Sequence, residues 1–242
     1  MHGLSAAEVL DLWDDCARES APRRGLRLLM AADPGMPADQ LAALTVGQRD
    51  GRLLALREAL WGPEMVALTT CPACREQMEM ALDARAFLDR AGPDHPDTLS
   101  LQTGGYDLTF RLPTSADLIE ATERFDTEDC RDVLLERCLI AVRSEHDADG
   151  PVPADVVASV VRAMADADPL SDIQLTMNCP SCHHRWQTGF DIVSFLSTEI
   201  DAWAARILRD VHTLASAYGW HERDILNLSA MRRQFYLESV GA

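Results

Sequence analysis

Apolar residues along this chain follow two rhythms, one near 3.6 residues and one near 2, and the switches between them mark out its elements. The longest regular stretch lies in the last third. There Val193, Leu196, Ile200, Trp203, Ile207, Val211, Leu214 and Tyr218 recur at steps of three and four. The stripe predicts one helix over residues 192–218, roughly 40 Å long at ~1.5 Å per residue, with Gly219 placed as its C-cap. The same rhythm runs through the first sixty residues. Ser5-Ala6-Ala7-Glu8 and Thr45-Val46-Gly47-Gln48 both have capping-box spacing. The first precedes Val9, Leu10 and Trp13; the second precedes Leu53, Leu54, Leu56, Leu60 and Trp61, and Gly62-Pro63 stops it. Shorter helices are expected over 25–31 and 37–44, and others over 116–124, 127–143 and 155–165. A last amphipathic helix, opened by Ser229, carries Met231, Phe235, Tyr236 and Leu237.

Period-two alternation is confined to short runs. Residues 98–101 and 106–111 flank Thr103-Gly104-Gly105, a hairpin signal. Two more strands are expected over 173–177 and 185–189, and polar loops over 91–96 and 147–153. The fold class that follows is mainly α with a small β part. Residues 1–64 form a helical region, 65–90 and 172–190 a split four-cysteine ribbon, 91–171 an inserted hairpin with helices, and 191–242 the long helix with a C-terminal helix.

The split unit rests on an internal repeat. Cys71-Pro72-Ala73-Cys74 reappears as Cys179-Pro180-Ser181-Cys182, displaced by 108 residues. The same displacement matches Asp83 to Asp191, Phe87 to Phe195 and Leu88 to Leu196, and places Met78 on Trp186 and Leu82 on Phe190. Each half reads as a tight turn, a short strand and a helix opened by an aspartate. One such turn offers two thiolates; two turns offer four, the closed tetrahedral shell of a structural zinc ion. Proline after the first cysteine suits the turn, and turn N–H groups spread the sulfur charge. The metal-site residues are therefore Cys71, Cys74, Cys179 and Cys182, with Zn2+ as the structural cofactor. A thioredoxin-like redox pair lacks a surrounding βαβ pattern and leaves two matching pairs unexplained. A catalytic zinc needs an open position that four cysteines do not leave. Ligation by His183 or His184 in place of one cysteine is explained more simply as ordinary exposure.

Composition narrows the classes. The chain has 242 residues, 47% of them hydrophobic and only 6% aromatic, so aliphatic side chains must build the core. A formal net charge of −17, from 39 acidic and 22 basic residues, opposes nucleic-acid binding and docking on an anionic membrane. No basic and apolar leader opens the chain and no uncharged apolar run reaches the ~20 residues of a membrane span. A cytoplasmic location is expected, in which thiols stay reduced and paired cysteines ligate metal. Cys16, Cys130 and Cys138 read as small residues packed in helices. Arg49-Asp50 and Arg57-Glu58 read as a solvated face, and Asp14-Asp15, Asp166 and Asp168 as solvated helix ends. No Ser-His-Asp set, phosphate-binding glycine loop or HExxH motif is present, so no enzyme is expected. The stripe on the long helix either packs on the protein's own core or offers Trp203, Ile207, Tyr218 and Trp220 to a partner.

Several stretches carry a family resemblance. They are Gly47-Gln48-Arg49-Asp50-Gly51-Arg52-Leu53-Leu54-Ala55-Leu56-Arg57-Glu58, Leu60-Trp61-Gly62 and Phe110-Arg111-Leu112-Pro113-Thr114-Ser115-Ala116-Asp117-Leu118, besides the two cysteine turns. Phe190-Asp191-Ile192-Val193-Ser194-Phe195-Leu196, Glu199-Ile200-Asp201-Ala202-Trp203, Tyr218-Gly219-Trp220 and Tyr236-Leu237 complete them. From about residue 40 onward the chain resembles T4-type baseplate hub assembly chaperones of contractile phage tails and extracellular contractile injection systems. The resemblance implies a non-enzymatic assembly or structural protein that binds baseplate, hub or spike subunits, either as a transient chaperone or retained in the particle. The alternative function is a zinc-ribbon regulator that binds nucleic acid or another protein.

Overall fold

The computed structural model describes residues 4–92, 96–125, 127–144 and 151–240. The loops expected over 91–96 and 147–153 fall partly outside these. Four helices come first: α1 (Ala6–Cys16), α2 (Ala21–Ala32), α3 (Ala38–Ala42) and α4 (Val46–Trp61). Both expected capping boxes are made, Ser5 with Glu8 and Thr45 with Gln48. A hairpin of β1 (Glu64–Thr70) and β2 (Gln77–Asp83) follows, then the short α5 (Ala84–Leu88). Next come β3 (Leu99–Thr103), β4 (Tyr106–Phe110), α6 (Ser115–Arg124), α7 (Thr127–Cys138), β5 (Leu139–Ser144) and α8 (Ala154–Ala167). A second hairpin of β6 (Ile173–Asn178) and β7 (Arg185–Phe190) runs into α9 (Ile192–Tyr218), before α10 (Glu222–Leu226) and α11 (Ala230–Val240) close the described chain.

Helix dominates, but the β part is larger than expected. Three antiparallel sheets are present among the described residues, β1-β2, β3-β4-β5 and β6-β7. The helix expected over 127–143 stops at Cys138, and the chain turns into β5, which pairs with β4 from Tyr106↔Ser144 to Phe110↔Leu139. The β3-β4 turn uses Gly104 and Gly105 at φ 58° and 76°, the two positive dihedrals that a two-residue hairpin loop with the right twist requires. α8 covers this sheet: Val156 and Val160 pack on Leu108 and Phe110 as a small separate core.

The main core lies under α9. Leu28, Leu29, Leu53, Leu54, Leu56, Ile192, Leu196 and Ile200 form its centre, and α1, α2, α4, α10 and α11 all pack against the long helix. Ile207, Val211 and Leu214 are buried, Trp203 packs on the core, and only Tyr218 at the stripe's end is exposed. The stripe is thus used mainly within the molecule. Tyr218 stacks on Trp220 at 4.7 Å, and Tyr236 of α11 meets both rings edge-on. Gly219 closes α9 in the left-handed region at φ 69°, where a Cβ would be strained.

Charged residues expected in solvent are structural instead. Arg49 and Asp50 are 5% and 7% exposed, and Arg49 Nε donates to Asp50 Oδ1 at 2.7 Å. Arg57 is buried and its guanidinium makes a fork to both oxygens of Glu199 on α9, at 2.9 and 2.8 Å. Asp168, expected at a solvated end, is buried and accepts the Gly47 N–H at 2.9 Å. It thereby satisfies one free donor at the start of α4 and suits the helix dipole. A Cβ on residue 47 would lie 1.7 Å from Asp168 Oδ1, which explains glycine there.

The start of α6 is tied to the start of α4. Thr45 and Thr114, each the N-cap of its helix, pair across an isolated bridge. Val46 N–H donates to Pro113 O and Ser115 N–H to Leu44 O. Asp117 behind this bridge is buried and accepts a fork from Arg111 at 2.6 and 2.8 Å, a bond from Arg137 Nε at 3.0 Å and the Thr114 N–H and hydroxyl. Burial raises its carboxyl, but these donors outweigh burial and hold it far below the usual carboxylate range.

Candidate metal centre

The two halves of the repeat fold alike. In each, the CxxC segment is the turn of a hairpin: Thr70 pairs with Gln77 and Asn178 with Arg185. Cys71 N–H donates to Glu76 O and Arg75 N–H to Cys71 O, at 2.9 and 3.0 Å. Cys179 N–H donates to His184 O and His183 N–H to Cys179 O, both at 2.9 Å. Arg75 and His183 are the non-glycine residues with positive φ among those described, at 66° and 59°. Such a backbone costs of order 1–3 kcal/mol outside glycine. It occurs at both equivalent places, so the two tight turns share one backbone conformation.

The repeat continues past the turns. Asp83 caps α5 by accepting the Arg85 N–H, and Asp191 caps α9 by accepting the N–H groups of Val193 and Ser194. Phe190 stacks on Phe87 at 5.2 Å and tilts against Phe195 at 5.5 Å, so one ring joins the two equivalent phenylalanines.

These hairpins bring all four predicted ligands together within a single chain. The Sγ atoms of Cys71, Cys74, Cys179 and Cys182 lie within 4.8 Å of one another, close enough to hold a metal ion. Across the halves, Cys71 Sγ lies 3.7 Å from Cys182 Sγ and Cys74 Sγ 3.6 Å from Cys179 Sγ. A disulfide needs about 2 Å, so the four are free thiols. One cysteine of each turn, Cys71 and Cys179, is buried; Cys74 and Cys182 are exposed. His183 and His184 are exposed and do not join the cluster.

Electrostatics favour one thiolate and resist the next. At Cys71 burial raises the thiol, but the N–H groups of Cys74 and Ala73 and the thiols of Cys74 and Cys182 bring it down to about 7. At Cys74 the Glu76 N–H lowers the thiol. The neighbouring thiols Cys182, Cys179 and Cys71, with burial, outweigh that and push it up to about 12. Cys182 is also raised, against the lowering N–H of His184. A cation is what would let all four ionise together.

The other cysteines stand apart. Cys16 and Cys138 are buried, and burial pushes each thiol up to about 11; Cys130 is half-buried. No helix among the described residues is long and apolar enough to cross a membrane. Sequence reasoning did not find that Asp168, just ahead of the second cysteine hairpin, is held by the Gly47 N–H, nor that Arg49 and Asp50 are buried. The signal was the dense Gly-Gln-Arg-Asp-Gly-Arg run, in which Gly47 has its partner, Asp168, 121 residues away. No protein-family model, curated protein or solved structure matches the chain.

Proposed function

We propose that this chain is a non-enzymatic, zinc-stapled interaction protein that helps to build the baseplate or hub of a contractile tail-like particle. The observation that carries the metal half is the sulfur geometry. Zinc–thiolate bonds of about 2.3 Å at tetrahedral angles place sulfurs about 3.8 Å apart, against 3.7 and 3.6 Å across the two halves. Four thiolates fill the shell and leave no position for a reacting water. Cys71, Cys74, Cys179 and Cys182 would hold the ion, which supplies cross-linking and no chemistry.

The assembly half is supported by the family resemblance and by the acidic balance of the chain. The residues on which the resemblance rests are largely architectural. Gly47 and Arg57 tie α4 to remote segments, Arg49 and Asp50 pair in the interior within α4, and Arg111 pairs with the buried Asp117 at the start of α6. The resemblance therefore speaks first for a common scaffold, and through it for the assembly role.

Inspection of the neighbouring genes, then co-expression with any baseplate, hub and spike subunits found there and affinity capture, tests the role. A stable complex with one of those subunits is expected. A gene that lies among metabolic genes, with no sheath, tube or spike gene beside it, would overturn the assignment.

A further inference from the structure

The two cysteine hairpins share a backbone, so each is a control for the other. Along β6 the side chains on the outer face are Asp172, Gln174, Thr176 and Asn178, as a solvated face should be. At the corresponding places β1 carries Glu64, Val66, Leu68 and Thr70, with Val66 and Leu68 60% and 78% exposed. The fold does not need aliphatic residues there, because its sister does without them. The fold itself therefore gives no reason for the exposed apolar pair.

The backbone at the same place is open. Ala84 N–H donates to Pro63 O and Cys71 N–H to Glu76 O. Alternation along an antiparallel ladder then directs the N–H and C=O groups of Val66 and Leu68 away from β2. The sheet has two strands, so no further strand covers that edge among the described residues. Edge strands of natural proteins are usually blunted by charge or proline; β1 instead presents aliphatic side chains beside unpaired backbone.

We propose that the outer edge of β1 is a docking strip for an extended segment of a partner protein, one whose contacting face, made by every second residue, carries aliphatic residues flanked by basic ones. Charge decides the occupant. Glu64, Glu79 and Asp83 surround Val66, Leu68 and Ala81 on the exposed face, and no arginine of β1 or β2 lies among them. A second copy of this chain would set acid against acid at a net charge of −17 each. A basic strand instead gains main-chain hydrogen bonds from the edge, aliphatic contact with Val66 and Leu68, and ion pairs at the rim. The inference rests on the reading of the chain as an interaction protein and names the face that it uses.

The test uses the full zinc-loaded chain and labelled eight-residue peptides. The probe is Lys-Thr-Val-Thr-Val-Thr-Lys-Thr, whose Lys and Val residues share one face of a strand, compared with the same peptide N-methylated at alternate amides and with its counterpart carrying Glu in place of Lys. The protein is compared with its Val66→Gln/Leu68→Thr variant, which borrows the sister hairpin's residues and should keep its zinc and melting temperature. Saturable binding of the lysine peptide is expected, at least tenfold weaker for the variant, the N-methylated peptide and the glutamate peptide. Equal binding of the N-methylated peptide, or of the variant, would overturn the strip. If the variant still captures baseplate subunits as well as the parent, the strip is wrong while the assembly role stands. If peptides bind as expected and no baseplate subunit is captured, the strip stands and the assembly role falls.

Discussion

At the scale of single residues, the least negotiable positions are those where a charge or a glycine meets a partner far along the chain. Gly47 is the sharpest case. Gly47→Ala must expel the Asp168 carboxylate from the start of α4, so a loss of about 2–4 kcal/mol is expected in a urea titration. Asp50 and Asp117 make opposite statements about pH. Burial raises the Asp50 carboxyl to about 6, although Arg49 beside it pulls the other way. A raised carboxyl makes the folded state bind the proton more tightly, so this group's contribution is full below about pH 4 and fades as pH rises through about 6. The Asp117 carboxyl is lowered, so its contribution is full above about pH 4 and is lost as pH falls further. Asp50→Asn should flatten the decline between pH 4 and 6 relative to the parent, both zinc-loaded. An unchanged difference between the two across that window would refute the assignment to Asp50.

At the scale of elements, local chemistry was legible and remote pairing was not. The long helix, its glycine stop, both capping boxes and the two cysteine turns are specified within a few residues of sequence, and all form as read. The hairpin around Gly104-Gly105 also forms, because its turn residues dictate the turn type. β5 was read as the end of a helix, since Leu139 continues the apolar spacing of α7; only pairing with β4 makes it a strand. Likewise the Arg57-Glu58 pair reads as solvated until Glu199 arrives from α9, 142 residues later. Two substitutions weigh these links. Arg57→Ala leaves a fork partner unpaired beside a buried site and should cost about 3 kcal/mol. Gly219→Ala should cost about 1 kcal/mol by straining the left-handed cap of α9. Thermal melts of both proteins measure the order, and a cap variant that costs more than the fork variant would contradict it.

At the scale of the whole molecule, residues 75–178 leave the first cysteine turn and return to the second, so the cluster joins the two ends of the insert. The Asp168–Gly47 bond and the Thr45–Thr114 bridge brace the same insert against α4 from its other sides. The Phe87–Phe190–Phe195 contact packs α5 and the end of β7 against the first turn of α9. Removing the proposed zinc should therefore loosen the hairpins and the start of α9 together. Stability should also fall as pH is lowered in zinc-limited buffer, because protons compete with the ion for sulfur. Cys71→Ser and Cys179→Ser, which alter the buried ligand of each half, should lose zinc and melt at a lower temperature than the parent, to similar extents.

Zinc-edge X-ray absorption on the purified full-length chain, with metal content measured on the same sample, tests the central claim most directly. One zinc per chain with four sulfur neighbours at about 2.3 Å is predicted. A metal-free sample whose melting curve is unmoved by added zinc, or a shell in which nitrogen or oxygen replaces sulfur, would contradict it.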